Sequence, residues 1–397
     1  MNDKQNTINN LIEKYFEQVV NIRHLLHQNP ELSKHEKNTS ALICQELDKM
    51  GVKYNNSIYG YGIYGYVEGK NPQKNCIALR ADMDALPIEE KTNLPFASKN
   101  KGVMHACGHD VHMASLLGVI KIVNELKNDF EGRVMFVFQP SEEEYPGGAI
   151  SMLKAGIFNE IEPSAMLAFH CTPELECGQV AIKEGKLMAS TDEIYITIKG
   201  KGGHGATPHL DIDPIVVACQ VVTSLQTIVS RSANPTMPTT FSVGRFIADG
   251  RTNIIPAEVK MDCIIRTFDE QWRKECHNLI KRICENTAKA FGASAEVFID
   301  PGYPFVYNDP TLTKKVISWS KEILPAESVQ CAEMRMTAED FAYFAQVVPS
   351  CYFRIGTHKK GEPIANLHTA YFDADDNVLK TSMALETYLV LKYLENN

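Results

Sequence analysis

Residues 191–200 read TDEIYITIKG, and this stretch decides how the chain divides. Ile194, Ile196 and Ile198 alternate with Glu193, Tyr195, Thr197 and Lys199, the period-two pattern of a strand with one face covered and the other in water. The strand candidates before it differ: RVMFVFQ (133–139) and AMLAFH (165–170) carry continuous apolar runs, as strands covered on both faces do. Downstream, the pattern predicts a helix over 213–230, strands over 239–247 and 257–266, a helix over 269–291 and a last strand over 294–300. That order, β-α-β-β-α-β, is the ferredoxin-like arrangement, self-contained in about 110 residues. We therefore expect 190–304 to form an inserted domain, with 1–189 and 305–397 completing one domain around it.

The flanking segments alternate helix and strand signals. Apolar residues from Ile8 to Leu26 recur at helical spacing over 7–28, ended by Pro30. A second helix is expected over 36–50 with its stop at Gly51, then strands over 62–68 and 76–81. A long helical period follows in MASLLGVIKIVNELKN (113–128), and a short helix is expected over 146–156. Such alternation predicts an α/β fold, a mixed central sheet flanked by helices.

A chain of 397 residues is too long for one compact core. Hydrophobic content of 44% with 22% charged residues fits a globular protein in water. The formal charge of −9 argues against a nucleic-acid partner, which would need a basic patch. The start, MNDKQNTINN, lacks the apolar region of a signal peptide. No apolar run reaches the roughly 20 residues that span a bilayer, so no membrane partner is expected. Eleven cysteines are scattered without a repeating spacing. The expectation is a reduced, cytoplasmic, soluble protein whose cysteines are mostly small buried hydrophobes.

One motif misleads. Gly60, Gly62 and Gly65 in GYGIYG match the dinucleotide-binding spacing, but YVEGKNPQKN follows where that motif needs a helix N-terminus. The informative residues lie at the ends of predicted strands, where open α/β sheets bind their ligands. They are RADMD (80–84), HACGHD (105–110), QPSEEE (139–144) and FHCTP (169–173), joined by NLHTAYFD (366–373) near the C-terminus. Cys107, His109, a glutamate from 142–144, His170 and His368 form a mixed sulfur, nitrogen and oxygen donor set, which suits zinc or a similar borderline divalent metal. Cys107 and His109 can reach one centre only from a loop just before a helix, a turn that Gly108 allows. Three adjacent glutamates repel one another unless positive charge compensates, and paired cations would supply it.

Together HACGHD, QPSEE, ALRADMDALPI (78–88), GKGGHGATPH (200–209), TNIIP (252–256) and MTAEDFAYF (336–344) resemble the M20 metallopeptidases, in the amidohydrolase branch. The likeness runs in order from LHQNPELS (26–33) to LHTAYFD (367–373). It implies a zinc-peptidase-like catalytic domain with an inserted lid and dimerisation domain, in a homodimer. It implies two divalent ions per chain (zinc, manganese, cobalt or nickel), held by Cys107 as the bridging thiolate with His109, Glu143, His170 and His368. Glu142 would be the general base, and Asp84 would orient a ligand histidine. His204 would stabilise the oxyanion in a partner subunit's site, while Asn253 and Arg266 would hold the substrate carboxylate. His105 and His112 fall outside this ligand set. The reaction implied is hydrolysis of an N-acyl amino acid or short peptide. A dipeptidase or carboxypeptidase, or an N-acetyl-diaminopimelate deacetylase, is the alternative on the same scaffold.

Overall fold

The computed structural model describes residues 3–396. They form two compact units. The first comprises residues up to Leu187, Tyr307–Glu333 and those from Asp340 on; the second comprises Met188–Val306 with Met334–Glu339. That return of Met334–Glu339 to the second unit has no counterpart in the hydrophobic pattern.

In chain order the first unit supplies α1 (Asp3–Gln28), α2 (Lys37–Met50), β1 (Tyr54–Asn55), β2 (Ile63–Glu68), β3 (Cys76–Asp82), α3 (His109–Glu125), β4 (Arg133–Gln139), α4 (Gly148–Lys154), β5 (Ala165–Glu176) and β6 (Val180–Ile182). The second supplies β7 (Asp192–Lys199), α5 (Pro214–Thr227), β8 (Thr239–Ile247), β9 (Glu258–Thr267), α6 (Glu270–Ala290) and β10 (Ser294–Pro301). The first resumes with α7 (Pro310–Ile323), β11 (Val329–Cys331), β12 (Ser350–His358) and α8 (Val378–Glu395).

The first unit is an eight-stranded mixed sheet in the order β1-β2-β4-β3-β5-β12-β6-β11. Its centre is parallel: β3 pairs with β4 and β5, and β5 with β12. Every residue of β3 and β4 is buried, so both faces of these strands are covered, as their unbroken apolar runs require. Ile77, Leu79, Phe136, Phe138, Leu167 and Phe353 meet apolar residues of α1, α3 and α8 in one core, each worth roughly 1.5–3 kcal/mol of burial. The register places the site. Asp82 pairs with Gln139 at the ends of β3 and β4, so the residues that follow, Asp84 and Glu142, emerge at one edge. Arg80 pairs with Ala168, which brings His170 level with Asp82.

The second unit is a four-stranded antiparallel sheet in the order β8-β9-β7-β10. Ile194, Ile196 and Ile198 of β7 pack with Val217, Val221 and Leu225 of α5 and with Cys276, Ile280 and Cys284 of α6. The alternation of TDEIYITIKG is thus literal: Glu193, Tyr195 and Lys199 are exposed. Both helices start on capping aspartates, Asp213 accepting from Ile215 N–H and Asp269 from Trp272 N–H. Pro214–Ser232, at 19 residues, is the one helix among the described residues long and apolar enough by composition to cross a membrane. Here Val217, Val221, Leu225 and Ile228 are buried in the unit's core.

Candidate metal centre and active site

Asp84, two residues beyond β3, organises the edge where β3 and β4 end. Its carboxylate accepts the N–H of Glu142 on Oδ1 (3.0 Å) and the N–H of Glu143 on Oδ2 (2.9 Å). Its main-chain carbonyl accepts the Nδ1–H of His109 (2.8 Å). The orienting contact expected of its carboxylate is therefore made mainly by its backbone. The carboxylate Oδ1 lies 3.5 Å from His109 Nδ1 and is spent on the two-glutamate turn.

His109 opens α3 directly after Gly108, whose φ is +88°. A Cβ at Gly108 would sit 2.8 Å from Cβ and Sγ of Cys171, so glycine alone makes this turn between two donors. With Nδ1 committed to Asp84, the buried Nε2 of His109 has no hydrogen-bond partner among the described residues. His170 is fixed in the same sense, its Nδ1–H donating to the Cys171 carbonyl at 2.7 Å. This histidine does not end its strand, as FHCTP suggested. β5 runs on to Glu176 because its pairing with β12 continues past His170.

The structure gathers the donors. Cys107 Sγ lies 3.3 Å from Nε2 of His170 and 3.3 Å from Nε2 of His368. Glu143 Oε1 lies 3.4 Å from His368 Nε2 and 3.9 Å from His109 Nε2. Five sets among the described residues have donor atoms within 4.8 Å of one another: Cys107 with His109 and His170, Cys107 with Glu143 and His368, His109 with Glu142 and Glu143, Asp82 with His109 and His112, and Glu142 with Glu339 and Asp340. His368 adopts a left-handed backbone (φ +58°), and its N–H donates to the Ala106 carbonyl at 2.8 Å. That bond ties its loop to the segment carrying Cys107.

The electrostatics call for a cation. Burial, then Glu143, Glu142 and Asp82, push the Cys107 thiol well above its usual range. Burial lowers the pKa of His109, but Asp82, Asp84 and Glu143 outweigh it and raise the value to about 10. A buried thiol lies among carboxylates and imidazoles, and Glu143 Oε1, like His109 Nε2, is buried without a hydrogen-bond partner among the described residues. Both orphaned atoms face the cluster, so the residues fit a borderline divalent metal.

His112 lies outside the donor set for a visible reason: its Nδ1–H donates to Asp82 Oδ1 (2.6 Å) and its Nε2 accepts Cys171 N–H (3.0 Å). Asp82 also takes Arg80 Nη1 (2.6 Å), while Arg80 Nη2 and Gln139 Nε2 donate to Asp340. Arg80, Gln139 and Asp340, which the motifs contain without assigning a role, thus brace the strand ends beneath the cluster. Behind α3, buried Arg23 donates to Asp110 Oδ2 (3.0 Å), the Ala374 carbonyl (2.7 Å) and Asp376 Oδ1 (2.6 Å). It thereby links the residue after His109 to the loop after His368. His105 is buried, with neither ring nitrogen partnered among the described residues, and burial is the main cause that lowers its pKa to about 4.

The remaining expected residues lie in the second unit. His204 and Ile254 pair in a two-stranded ladder, and Gly205 N–H donates to the Asn253 carbonyl at 3.0 Å, so His204 and Asn253 are brought together. Arg266 lies on β9, paired with Thr240 of β8. It is half-buried and donates to the Met336 carbonyl at 3.0 Å, and no carboxylate pairs with it among the described residues. Burial lowers its pKa.

Residues 78–391 match the model of peptidase family M20/M25/M40. The chain is 36% identical over 391 residues to thermostable carboxypeptidase 2 of Saccharolobus solfataricus, covering 97% of this chain and 98% of that one. It is 41% identical over 301 residues to an N-acyl-L-amino acid amidohydrolase of Geobacillus stearothermophilus, covering 76% and 80%. A Bacillus subtilis protein described as a dinuclear metal-binding peptidase of the M20 family superposes with a TM-score of 0.83 at 33% identity, covering 97% and 100%.

Proposed function

Because this chain belongs to peptidase family M20/M25/M40 and is a metal-dependent hydrolase, we propose that it cleaves the amide bond of N-acyl amino acids, releasing a carboxylic acid and a free amino acid. One observation carries the reading: Cys107, His109, Glu143, His170 and His368 converge with Glu142 beside them, and two of the converging atoms are buried without a partner among the described residues. These five residues would hold two divalent cations, which when bound polarise the amide carbonyl and acidify water. Glu142 takes a proton from the attacking water and passes it to the leaving amine nitrogen. Asp84 holds Glu142 and Glu143 through their N–H groups. Asn253 and Arg266 take the substrate carboxylate, and an arginine without a carboxylate partner among the described residues supports that role. The partner subunit's His204 stabilises the oxyanion in a homodimer in which 190–304 is the lid and dimerisation domain and 1–189 with 305–397 is the catalytic domain. Eleven free cysteines support a reducing, cytoplasmic setting.

The similarity to a carboxypeptidase over nearly the whole chain favours a second reading, a peptidase acting on short peptides. Side-by-side rates on N-acetyl amino acids and on dipeptides separate the two. For the base, Glu142→Gln is expected to lower kcat by about 10²–10⁴-fold with metal content unchanged; near-normal turnover would remove Glu142 from its role.

A further inference from the structure

The segment LHQNPELS and the residues after it have no part in the chemistry above, yet the loop joining α1 to α2 lies against the turn that carries Glu142 and Glu143. Ser33 Oγ donates to Asp84 Oδ2 at 2.6 Å, the oxygen that accepts Glu143 N–H. Lys34 N–H donates to Ser141 Oγ at 2.9 Å. Glu36 Oε1 accepts both the N–H of Ser141 (2.8 Å) and its hydroxyl (3.2 Å). The loop is itself fixed to the Asp84 segment, since Ala85 N–H donates to the Glu31 carbonyl at 2.8 Å and Leu32 bridges Ala85.

Two features show that this contact imposes a conformation. Lys34 (φ +67°) and Ser141 (φ +57°) are non-glycine residues in the left-handed region, which costs roughly 1–2 kcal/mol each. They face one another across the Lys34–Ser141 hydrogen bond, and Glu36 holds the second of them by two more. In addition, Ser33, Glu36, Asp84, Ser141 and Glu142 are all buried, so water cannot substitute for a lost partner.

We propose that Ser33 and Glu36 are positioning residues: Ser33 through Asp84, and Glu36 through Ser141, set the direction in which the Glu142 carboxylate projects. The assignment rests on Glu142 being the general base, and the loop touches no reacting atom. It accounts for a stretch of the chain that the metal ligands alone leave without a task.

Two readouts test it. In the metal-free protein, Ser33→Ala should speed hydrogen exchange of the Glu142 and Glu143 amides by roughly tenfold or more, the worth of one hydrogen bond to a charged group. In the metal-loaded enzyme acting on an N-acetyl amino acid, Ser33→Ala should lower kcat by about tenfold, with KM and metal content unchanged and Ser33→Thr restoring most of the rate. Glu36→Gln, which keeps an acceptor for Ser141, should retain far more activity than Glu36→Ala. Wild-type amide exchange in Ser33→Ala would overturn the proposal, as would a kcat that follows only thermal stability. If the wild-type enzyme turns over no N-acyl substrate, the functional reading fails while the exchange measurement still judges the loop.

Discussion

Gly108 stands between Cys107 and His109 with φ at +88° and with the Cys171 side chain where its own Cβ would be. Gly108→Ala combines a left-handed alanine, about 1–2 kcal/mol, with a clash that must move either Cys171 or the first turn of α3. It is expected to lower thermal stability and to reduce metal content, measured by calorimetry and elemental analysis; full metal content would show that the turn tolerates a side chain. At this scale the sequence was informative for donors and silent on partners. The i, i+2 spacing of Cys107 and His109 was open to inspection, as was the run of glutamates. That Asp84 speaks to His109 through its carbonyl was not, because no residue type encodes a backbone contact. Nor could Ser33 or Glu36 be found. Glu36 meets Ser141 across 105 positions, and Ser33 meets Asp84 across 51.

Elements carry the site because β3 and β4 end in register and α3 begins at His109. The C-terminal ends of α1, α2 and β3 follow from Pro30, Gly51 and the apolar run before Asp82, all local signals, whereas α1 begins at Asp3, four residues before the expected start. The extension of β5 through His170 is not local: it comes from pairing with β12, more than 180 positions away. α3 also packs on α8, where buried Glu386 is approached by Ser115 Oγ at 3.4 Å. Burial is the main cause that raises its pKa from 4.5 to about 8. An acid whose folded pKa is raised is protonated in both states at low pH and costs nothing there. As pH rises from 4.5 to about 8, the unfolded state ionises first and stability falls, by at most about 1.4 kcal/mol for each pH step of one within that interval. Glu386→Gln should flatten this decline in chemical denaturation between pH 4.5 and about 8; an unchanged slope would place the titration elsewhere.

At the scale of the molecule, one strand pattern, TDEIYITIKG, announced a second architecture inside the chain, and the order β8-β9-β7-β10 is that of a ferredoxin-like sheet. The passage of Met334–Glu339 into the second unit carried no such signal, since six residues are too few to show a period. The donor cluster lies in the first unit, and His204, Asn253 and Arg266 lie in the second. At the centre of the proposal, Cys107, His109, Glu143, His170 and His368 would hold two divalent cations, and an amidohydrolase is the activity we propose for them. Elemental analysis of the purified protein, wild type beside Cys107→Ala, tests this most directly. About two equivalents of divalent metal per wild-type chain are expected, with a clear loss in the variant. A wild-type protein that stays metal-free after incubation with zinc, manganese, cobalt and nickel would contradict it, as would a Cys107→Ala variant that keeps its full complement.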